Sequence, residues 1–236
     1  MNYERLYQFR HRDTDQAHRQ LVWNEIAVFV HDALGKPSCV LDPAAGLGEF
    51  INAVPAAERW AVDQHAYEQG TYDAGVKAVV SNVFDADLPP AHFDGIFVSN
   101  FLEHLASPDE VARFLEAMAE HTAPGGRIAV MGPNFRYCKN AYFDMADHTT
   151  ILTHRAIVEH LYAAGFTPER VEPQFLPYSF SGRNPTSPVL VRAYLRFPPA
   201  WRIMGQPWLV IARRWPGPVL SLRPRAATER FSGNSC

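Results

Sequence analysis

A short apolar strand that runs into a turn with two glycines is the first feature of this chain that can do chemistry. The stretch Val40–Ile51 has Asp42 at the end of its apolar part, followed by Gly46 and Gly48 ahead of a helical pattern. Glycines let a ligand approach the backbone, and the N-terminus of the next helix offers free N–H groups. A dinucleotide-binding G-x-G-x-x-G motif would have its third glycine at Ile51. That departure and the acid before the glycines favour a cationic ligand over a pyrophosphate.

A second acid lies at the end of the next predicted strand. Asp63 follows Asp42 by 21 residues. A carboxylate at that place can accept hydrogen bonds from both hydroxyls of an adenosine ribose. Together the two acids describe an adenosine that carries a cationic amino-acid tail.

Four motifs resemble those of the class I S-adenosylmethionine-dependent methyltransferases. They are VLDPAAGLGEF, AVD, FDGIFVSNFLEHL and PGGRIAVMGPN, in this order within about residues 38–176. The triplet Pro43-Ala44-Ala45 departs from the family's glycine pattern. The resemblance implies a Rossmann-like α/β fold, with a mostly parallel seven-stranded sheet and helices on both faces. An N-terminal helical extension and an insertion late in the sheet would be added to it.

The resemblance also implies which residues hold S-adenosylmethionine, or its product S-adenosylhomocysteine. Residues of the first motif would line the methionine part, and residues after the second and third strands would meet the ribose and the adenine. The candidates are Asp42, Ala44, Gly46 and Gly48 in the glycine turn, Asp63 for the ribose, Gln64 beside the adenine, Asn82 or Asp85 for its amino group, and Asn100 with Phe101 beneath the cofactor. For Asn82 and Asn100, capping of their own loops is the alternative.

Methyl transfer is an in-line displacement, so the protein has to align the acceptor and, for a hydroxyl, remove its proton. We expect candidate bases at the carboxyl ends of the fourth and fifth strands. His148 is the first choice, oriented by Asp147 or Asp144, and His104 is a further catalytic candidate. The alternative is that Asp147 and His148 anchor the helix that follows them.

A metal is not expected at these residues. The E-x-x-E-H stretch of ubiquinone-biosynthesis O-methyltransferases, which binds a divalent metal, is similar to the segment ending in Glu103-His104, but Asn100 replaces its first acid. The remaining histidines have no spacing typical of a metal site. A buried Glu103 that holds loop N–H groups is the alternative role for this acid.

Aromatic, basic and polar side chains in three segments are candidates for binding the acceptor. The segments precede the first helix, follow the fifth strand, and form an insertion late in the sheet, where stacking and positive charge suit a sugar or nucleotide phosphate. The candidates are Tyr7, Arg10, Asn134, Arg136, Tyr142, Tyr178 and Arg183. Simple packing is the alternative for the N-terminal aromatic residues.

Apolar periodicity predicts the elements that position these residues. Strands are predicted at 39–42, 59–63, 77–80, 95–99, 127–131 and about 168–175, with a last strand in PWLVIAR. Helices are predicted over about 21–34, from a capping box at Ser107 to a stop at 124–126, and over about 153–164 and 189–197. The predicted organisation is an N-terminal helical cap (1–36), a methyltransferase domain (37–220) with a substrate lid (177–207), and a disordered tail (221–236).

Charge is distributed unevenly along the chain. Residues 1–172 carry 13 Lys and Arg against 24 Asp and Glu, whereas residues 173–236 carry nine Arg against the single acid Glu229. We expect late arginines to pair with acids of the main domain, and a phosphate-bearing acceptor or an anionic membrane is the alternative. The arginines form no dense run, so nucleic acid is not expected, and an apolar stripe broken by prolines argues against membrane docking.

Three widely spaced cysteines, a polar N-terminus and the lack of a long apolar run predict a reduced, cytoplasmic protein whose oligomeric state stays open. The resemblance extends to methyltransferases of bacterial polysaccharide and secondary metabolism. It implies O-methylation of a small polar acceptor, sugar-like or nucleotide-linked. The alternatives are a non-catalytic S-adenosylmethionine-binding module and an N- or C-methyltransferase of a secondary metabolite.

Overall fold

Strands alternate with helices along the chain, as the apolar runs predict. The computed structural model describes residues 5–6, 9–10, 12, 15–177 and 187–216. Its strands are β1 (Cys39–Asp42), β2 (Glu58–Asp63), β3 (Val76–Val80), β4 (Phe93–Ser99), β5 (Thr122–Pro133), β6 (Phe166–Glu172) and β7 (Pro207–Arg214). Its α-helices are α1 (Gln16–Ala33), α2 (Glu49–Ala53), α3 (Pro108–His121), α4 (Phe135–Cys138), α5 (His154–Ala163), α6 (Pro188–Leu195) and α7 (Pro198–Met204). Two 3-10 helices cover Leu102–His104 and Lys139–Asp144.

The strands form one seven-stranded sheet in the order β3-β2-β1-β4-β5-β7-β6. All neighbours are parallel except β7, which runs antiparallel to both β5 and β6. This confirms the predicted mostly parallel α/β sheet. The strand order reverses between β1 and β4, and ligands of open α/β sheets bind at the carboxyl ends of the strands beside such a reversal.

The sheet is covered on both faces because neighbouring residues of a strand point to opposite sides. On one face, Val40 of β1 and Phe97 of β4 belong to a core shared with α1, α2, α6 and α7. On the other face, Leu41 and Ile96 belong to a core shared with α3 and α5. The predicted N-terminal helix therefore packs directly on the sheet, against α2 and α6.

The predicted cap of α3 at Ser107 is confirmed, and Glu110 reaches back one residue further than in a standard capping box. Ser107 Oγ accepts a hydrogen bond from the Glu110 N–H at 3.2 Å, and the Glu110 carboxylate accepts one from the Ala106 N–H at 2.8 Å. The helix ends at His121, before the predicted stop at 124–126, because Thr122 already pairs with Phe93 of β4.

Two other boundaries differ from the prediction. The helix predicted at 189–197 corresponds to α6, and the separate helix α7 that follows it was not predicted. The chain begins a new helix there because two prolines at 198 and 199 cannot continue a helix but can begin one. The strand predicted at 168–175 is shifted to Phe166–Glu172. The predicted tail at 221–236 and part of the predicted lid, 178–186, lie outside the described residues.

Late arginines pair with acids of the main domain, as expected. Arg192 on α6 binds Glu25 on α1 with a closest N–O distance of 2.5 Å, and Arg213 on β7 binds Glu169 on β6 at 2.7 Å. In the part of the chain that the structure describes, no helix is long and apolar enough to cross a membrane.

Candidate active site

The turn between β1 and α2, residues 43–48, is called the glycine turn below. Its two glycines have left-handed backbone angles, with φ of +53° at Gly46 and +79° at Gly48, a region that costs other residues about 1 kcal/mol or more. A Cβ added at Gly46 would meet no heavy atom within 4 Å, whereas one at Gly48 would lie 2.9 Å from the Tyr72 ring. Gly46 thus leaves open space beside the backbone, and Gly48 allows close packing.

Hydrogen bonds from the next segments hold the glycine turn. Asp63, at the end of β2, accepts from the Gly46 N–H through Oδ2 and from the His65 N–H through Oδ1, both at 2.9 Å. The Tyr72 hydroxyl donates to the Gly46 carbonyl at 2.8 Å. Each oxygen of an ionised carboxylate has a second acceptor position. Asp63 can therefore hold the turn and still accept ribose hydroxyls, and the neighbouring Gln64 side chain is exposed.

Asp42 is buried at the end of β1. Its Oδ1 accepts a hydrogen bond from the Ala44 N–H at 3.3 Å. Burial raises the pKa of Asp42 to about 8, and the nearby charges of Asp63 and Glu49 also raise it. Such a carboxyl gains its negative charge readily when a cationic group approaches, which fits a ligand with an amino group and a sulfonium centre.

The loop after β3 contains both candidates for the adenine amino group. Asn82 Oδ1 accepts a hydrogen bond from the Phe84 N–H at 3.0 Å, and the Asn82 carbonyl accepts one from the Asp85 N–H at 2.9 Å. Asn82 therefore caps its own loop, which was the alternative role for it. Both side chains are exposed, and a ligand contact for either stays a prediction.

Asn100 and Phe101 follow β4 directly. Asn100 has φ of +49°, and its exposed side chain donates a hydrogen bond to Ser99 Oγ at 3.0 Å. The Phe101 ring packs against Phe114 of α3, with ring centroids 5.1 Å apart. The structure thus gives both side chains local partners, and their predicted place beneath the cofactor stays a prediction.

These residues fit S-adenosylmethionine. The open space at Gly46, the buried acid Asp42 and the carboxylate Asp63 lie at the carboxyl ends of two adjacent parallel strands, β1 and β2. This arrangement offers acceptors for a ribose and a negative charge for a cationic tail, beside the strand-order reversal where ligands of such sheets bind.

A second group of polar residues lies at the carboxyl ends of β4 and β5. Glu103 and His104 form the end of the 3-10 helix that follows β4, and Asp147 and His148 lie in the connection after β5. We call these four residues the Glu103 cluster. All of the candidate catalytic residues predicted from sequence belong to it.

Hydrogen bonds fix the two imidazoles of the cluster through their Nδ1 atoms. His104 Nδ1 is hydrogen-bonded to the Asp147 carbonyl at 3.0 Å, and the Asp147 carboxylate Oδ2 lies 3.3 Å away without forming a hydrogen bond. His148 Nδ1 lies 2.7 Å from the Tyr142 carbonyl. Asp147 therefore orients His104, not His148 as the sequence suggested. Arg10 of the N-terminal segment binds the same Asp147 carboxylate at 2.5 Å.

Burial controls the electrostatics of the cluster. It raises the pKa of Glu103 to about 7 and lowers the pKa of His148 to about 4, so the His148 ring is neutral at neutral pH. For Asp147, burial works to raise the pKa, but the Arg10 hydrogen bond and the His104 charge outweigh it, and the pKa is lowered.

The backbone around Glu103 anchors the connection after β5. The Glu103 carbonyl accepts hydrogen bonds from the Thr149 and Thr150 N–H groups at 2.9 and 3.1 Å, and the Leu105 carbonyl accepts one from the Thr149 hydroxyl at 2.7 Å. Loop N–H groups are therefore held by the Glu103 backbone, whereas the sequence suggested the side chain. The Glu103 carboxylate takes no part in these hydrogen bonds and remains available for another role.

The predicted acceptor-binding residues fall into different environments. Asn134 is buried, caps α4, and donates through its amide to the Pro173 carbonyl at 2.8 Å. Tyr142 is buried, and its hydroxyl donates to the Thr150 carbonyl. Both support the connection after β5. Arg136 is exposed, Arg10 binds Asp147, and contact of any of these residues with an acceptor stays a prediction. Tyr7, Tyr178 and Arg183 lie outside the described residues.

Two features of the site were missed by the analysis of the sequence. Tyr72 holds the glycine turn, and His148 lies close to Glu103, with 4.0 Å between His148 Nε2 and Glu103 Oε1. The only available signal for the second was topological, because the carboxyl ends of adjacent parallel strands meet at one edge of the sheet. Tyr72 follows β2 in an irregular segment, which gave no such signal.

Residues 16–171 match the model of a family described as a methyltransferase domain. A similar solved structure is a SAM-dependent methyltransferase from Archaeoglobus fulgidus, with a TM-score of 0.60 and 20% identity over 90% of this chain and 100% of that one. Another is 1,6-didemethyltoxoflavin-N1-methyltransferase from Burkholderia thailandensis with S-adenosylhomocysteine bound, with a TM-score of 0.57 and 19% identity over 90% and 89%. No curated protein sequence matches. The family model covers most of the chain, and the chain therefore belongs to the class I S-adenosylmethionine-dependent methyltransferases.

Proposed function

We propose that this methyltransferase methylates a hydroxyl of a small polar acceptor, sugar-like or nucleotide-linked. The observation that carries the proposal is the Glu103 cluster at the carboxyl ends of β4 and β5, where β4 adjoins β1 and its glycine turn. A hydroxyl must lose its proton when it is methylated, and positioned acid–base groups accelerate such steps by about 10² to 10⁴. Two imidazoles beside a buried carboxylate supply groups of this kind.

The cofactor half of the site rests on Asp42, the glycine turn and Asp63. Bound there, S-adenosylmethionine would supply an electrophilic methyl group on a sulfonium sulfur. Asp42 would carry negative charge toward the cationic tail, and Asp63 would accept the ribose hydroxyls. Gln64 and the loop of Asn82 and Asp85 would flank the adenine.

Within the acceptor half, His104 is the more accessible imidazole, with 19% of its side chain exposed against 6% for His148. Asp147 would act as a positioning residue, because its backbone carbonyl holds His104 Nδ1 and Arg10 binds its carboxylate. Proton removal by an imidazole, with His148 or His104 as the base, is the simplest form of the proposal.

A phosphate on the acceptor would find its positive partners in Arg136 and in the predicted lid, residues 177–207, to which Tyr178 and Arg183 belong. Arg10 and Tyr7 are the candidate acceptor contacts in the N-terminal segment. The buried free thiols of Cys39 and Cys138 support a cytoplasmic location.

The test is a screen for S-adenosylhomocysteine formation with nucleotide sugars and other polyols, and with amines as the contrasting acceptor class. Turnover with a hydroxyl acceptor and none with amines supports the proposal. Turnover with amines alone would favour N-methylation, and cofactor binding without any turnover would favour a non-catalytic binding module.

Variants sharpen this test. His104→Asn should lower kcat by about 100-fold or more while the affinity for S-adenosylhomocysteine is unchanged. The matched control is His121→Asn, which removes another imidazole bound to a backbone carbonyl, that of Pro89, away from the cluster. Equal rates for the two variants would remove His104 from the proposal.

A further inference from the structure

The carboxylate of Glu103 faces two imidazole nitrogens across gaps that are too wide for hydrogen bonds. Glu103 Oε1 lies 4.0 Å from His104 Nε2 and 4.0 Å from His148 Nε2. Glu103 is 1% exposed, and its Oε2 has no hydrogen-bond partner among the described residues. Buried polar atoms are rarely left unpaired, so this arrangement points to a ligand bound between the three groups.

The tautomers of the two rings follow from their other contacts. Each Nδ1 faces a backbone carbonyl, that of Asp147 for His104 and that of Tyr142 for His148. Since carbonyls only accept, each Nδ1 carries a proton, and in the neutral ring the Nε2 atom that faces Glu103 has a free lone pair. Two Nε2 atoms and a carboxylate oxygen therefore converge.

This geometry is typical of metal ligands. Histidines that bind metals usually donate their second ring N–H to a carbonyl or a carboxylate, which fixes the ring and strengthens the ligand. The ligand atoms of Glu103, His104 and His148 all lie within 4.8 Å of one another. Ligand atoms of a tetrahedral zinc lie about 3.3 Å apart, so each group would move inward by roughly 1 Å or less.

We propose that Glu103, His104 and His148 bind a divalent transition-metal ion through one carboxylate oxygen and two Nε2 atoms. Two imidazoles with one carboxylate suit zinc, cobalt, manganese or iron, and leave coordination positions open for other ligands. The sequence predicted no metal because Asn100 replaces an acid, but the third ligand comes from His148, on the connection after β5.

The ion would deepen the proposed function, on which this step rests. An acceptor hydroxyl at an open position would lose its proton more easily, as water does on a bound metal ion. The two imidazoles would then act as ligands, and the ion, not a ring nitrogen, would make the hydroxyl nucleophilic.

A second group of possible ligands provides an internal control. Cys39, Glu58 and His92 also bring ligand atoms within 4.8 Å of one another. Glu58 Oε1, however, already accepts hydrogen bonds from Lys77 and Trp60 at 2.7 Å each, and the Lys77 ammonium repels a cation. Burial also raises the pKa of the Cys39 thiol to about 12, which keeps it protonated. This group should bind no metal.

The experiment is titration of the full chain, stripped with a chelator, with Co²⁺ followed by absorption and with Zn²⁺ followed by calorimetry. We expect one equivalent to bind. His148→Ala and His104→Ala should each weaken the affinity by about 10- to 100-fold or more, and His92→Ala should not change it. Circular dichroism and thermal melting identify any variant that does not fold, and the two imidazole variants test the site independently.

Lack of saturable binding would overturn the inference, and so would binding that is lost in His92→Ala but kept in the two cluster variants. These outcomes are separate from the fate of the proposed function. Hydroxyl methylation by a chain that binds no metal and ignores chelators would overturn the metal site alone. One equivalent bound through the cluster, in a chain that methylates no hydroxyl, would support the metal site and remove the proposed acceptor.

Discussion

The glycine turn and the Glu103 cluster lie at the same edge of the sheet but are held in different ways. In the turn, the Gly46 N–H and carbonyl have partners in Asp63 and Tyr72 at 2.9 and 2.8 Å. In the cluster, the Glu103 carboxylate stands 4.0 Å from both imidazoles. The proposed cofactor half therefore has its hydrogen bonds formed in the free chain, whereas the proposed acceptor half contains buried carboxylate oxygens without a hydrogen-bond partner among the described residues.

Among the variants of the two regions, Asp63→Ala should have the largest effect on the affinity for the cofactor. The variant loses the proposed ribose acceptors and the hydrogen bond to the Gly46 N–H. Hydrogen bonds to a charged group contribute about 1.5–3 kcal/mol each, so the affinity for S-adenosylhomocysteine should fall by about 100-fold. Calorimetric titration measures it, with the exposed Asp87→Ala as control. Unchanged affinity would show that Asp63 only supports the turn.

The glycine positions allow a matched pair of variants. Gly46 and Gly125 both have positive φ and open space around an added Cβ, with φ of +53° and +77°. Alanine at either position should therefore cost a similar free energy of unfolding, about 1 kcal/mol. Only Gly46→Ala places its methyl group where the cofactor should lie, so it alone should lower the affinity for S-adenosylhomocysteine, by about tenfold. Equal affinities would place the ligand elsewhere.

The sequence predicted the elements around the glycine turn well because their determinants are local. All seven strands predicted from apolar runs overlap observed strands, and Asp42, Gly46 and Asp63 lie together because β1 and β2 are adjacent and parallel. The observed caps of α3 and α5, Ser107 and Thr153, were equally local signals. Where the predicted elements differ from the structure, in the bounds of β6 and at α7, the antiparallel pairing with β7 and a pair of prolines set the boundaries.

The acceptor half could not be predicted to the same degree because its contacts span long separations in sequence. Glu103 and His148 are 45 residues apart, and Arg10 and Asp147 are 137 apart. Residue type suggested both histidines, but only the folded chain pairs Asp147 with His104. Burial of Tyr142 and Asn134 likewise depends on how the connection after β5 folds onto the sheet.

Asp42 should make cofactor binding depend on pH. With its pKa raised to about 8, the carboxyl is mostly protonated at pH 7 in the free protein. A cationic ligand needs the ionised form, so binding releases a proton and the affinity rises with pH. Between pH 7 and 8 the ionised fraction, and with it the affinity, should increase about fivefold. Calorimetry at several pH values measures the slope, and Asp42→Asn should abolish it.

The same shift affects stability in the opposite direction. Because the folded chain holds the Asp42 proton more tightly than the unfolded chain, this group's contribution to the free energy of unfolding decreases as pH rises from about 4 to 8. Urea unfolding of the free protein should show a smaller decrease over this range in Asp42→Asn. If the affinity of Asp42→Asn for the cofactor still rises with pH, the pH dependence of binding belongs to another group.

The smallest effect should come from Tyr72→Phe, which tests how firmly the glycine turn is held. The variant keeps the ring that packs on Gly48 and removes only the hydroxyl bound to the Gly46 carbonyl. A single neutral hydrogen bond contributes about 1 kcal/mol, and water can replace part of it here, so the affinity for S-adenosylhomocysteine should fall about threefold. Tyr162→Phe, which removes an exposed hydroxyl far along the chain, is the control. A loss of affinity as large as that of Asp63→Ala would mean that the Tyr72 hydroxyl does more than hold the turn. The Tyr72 hydroxyl would then contact the ligand directly, as the polar groups of the Glu103 cluster are proposed to do.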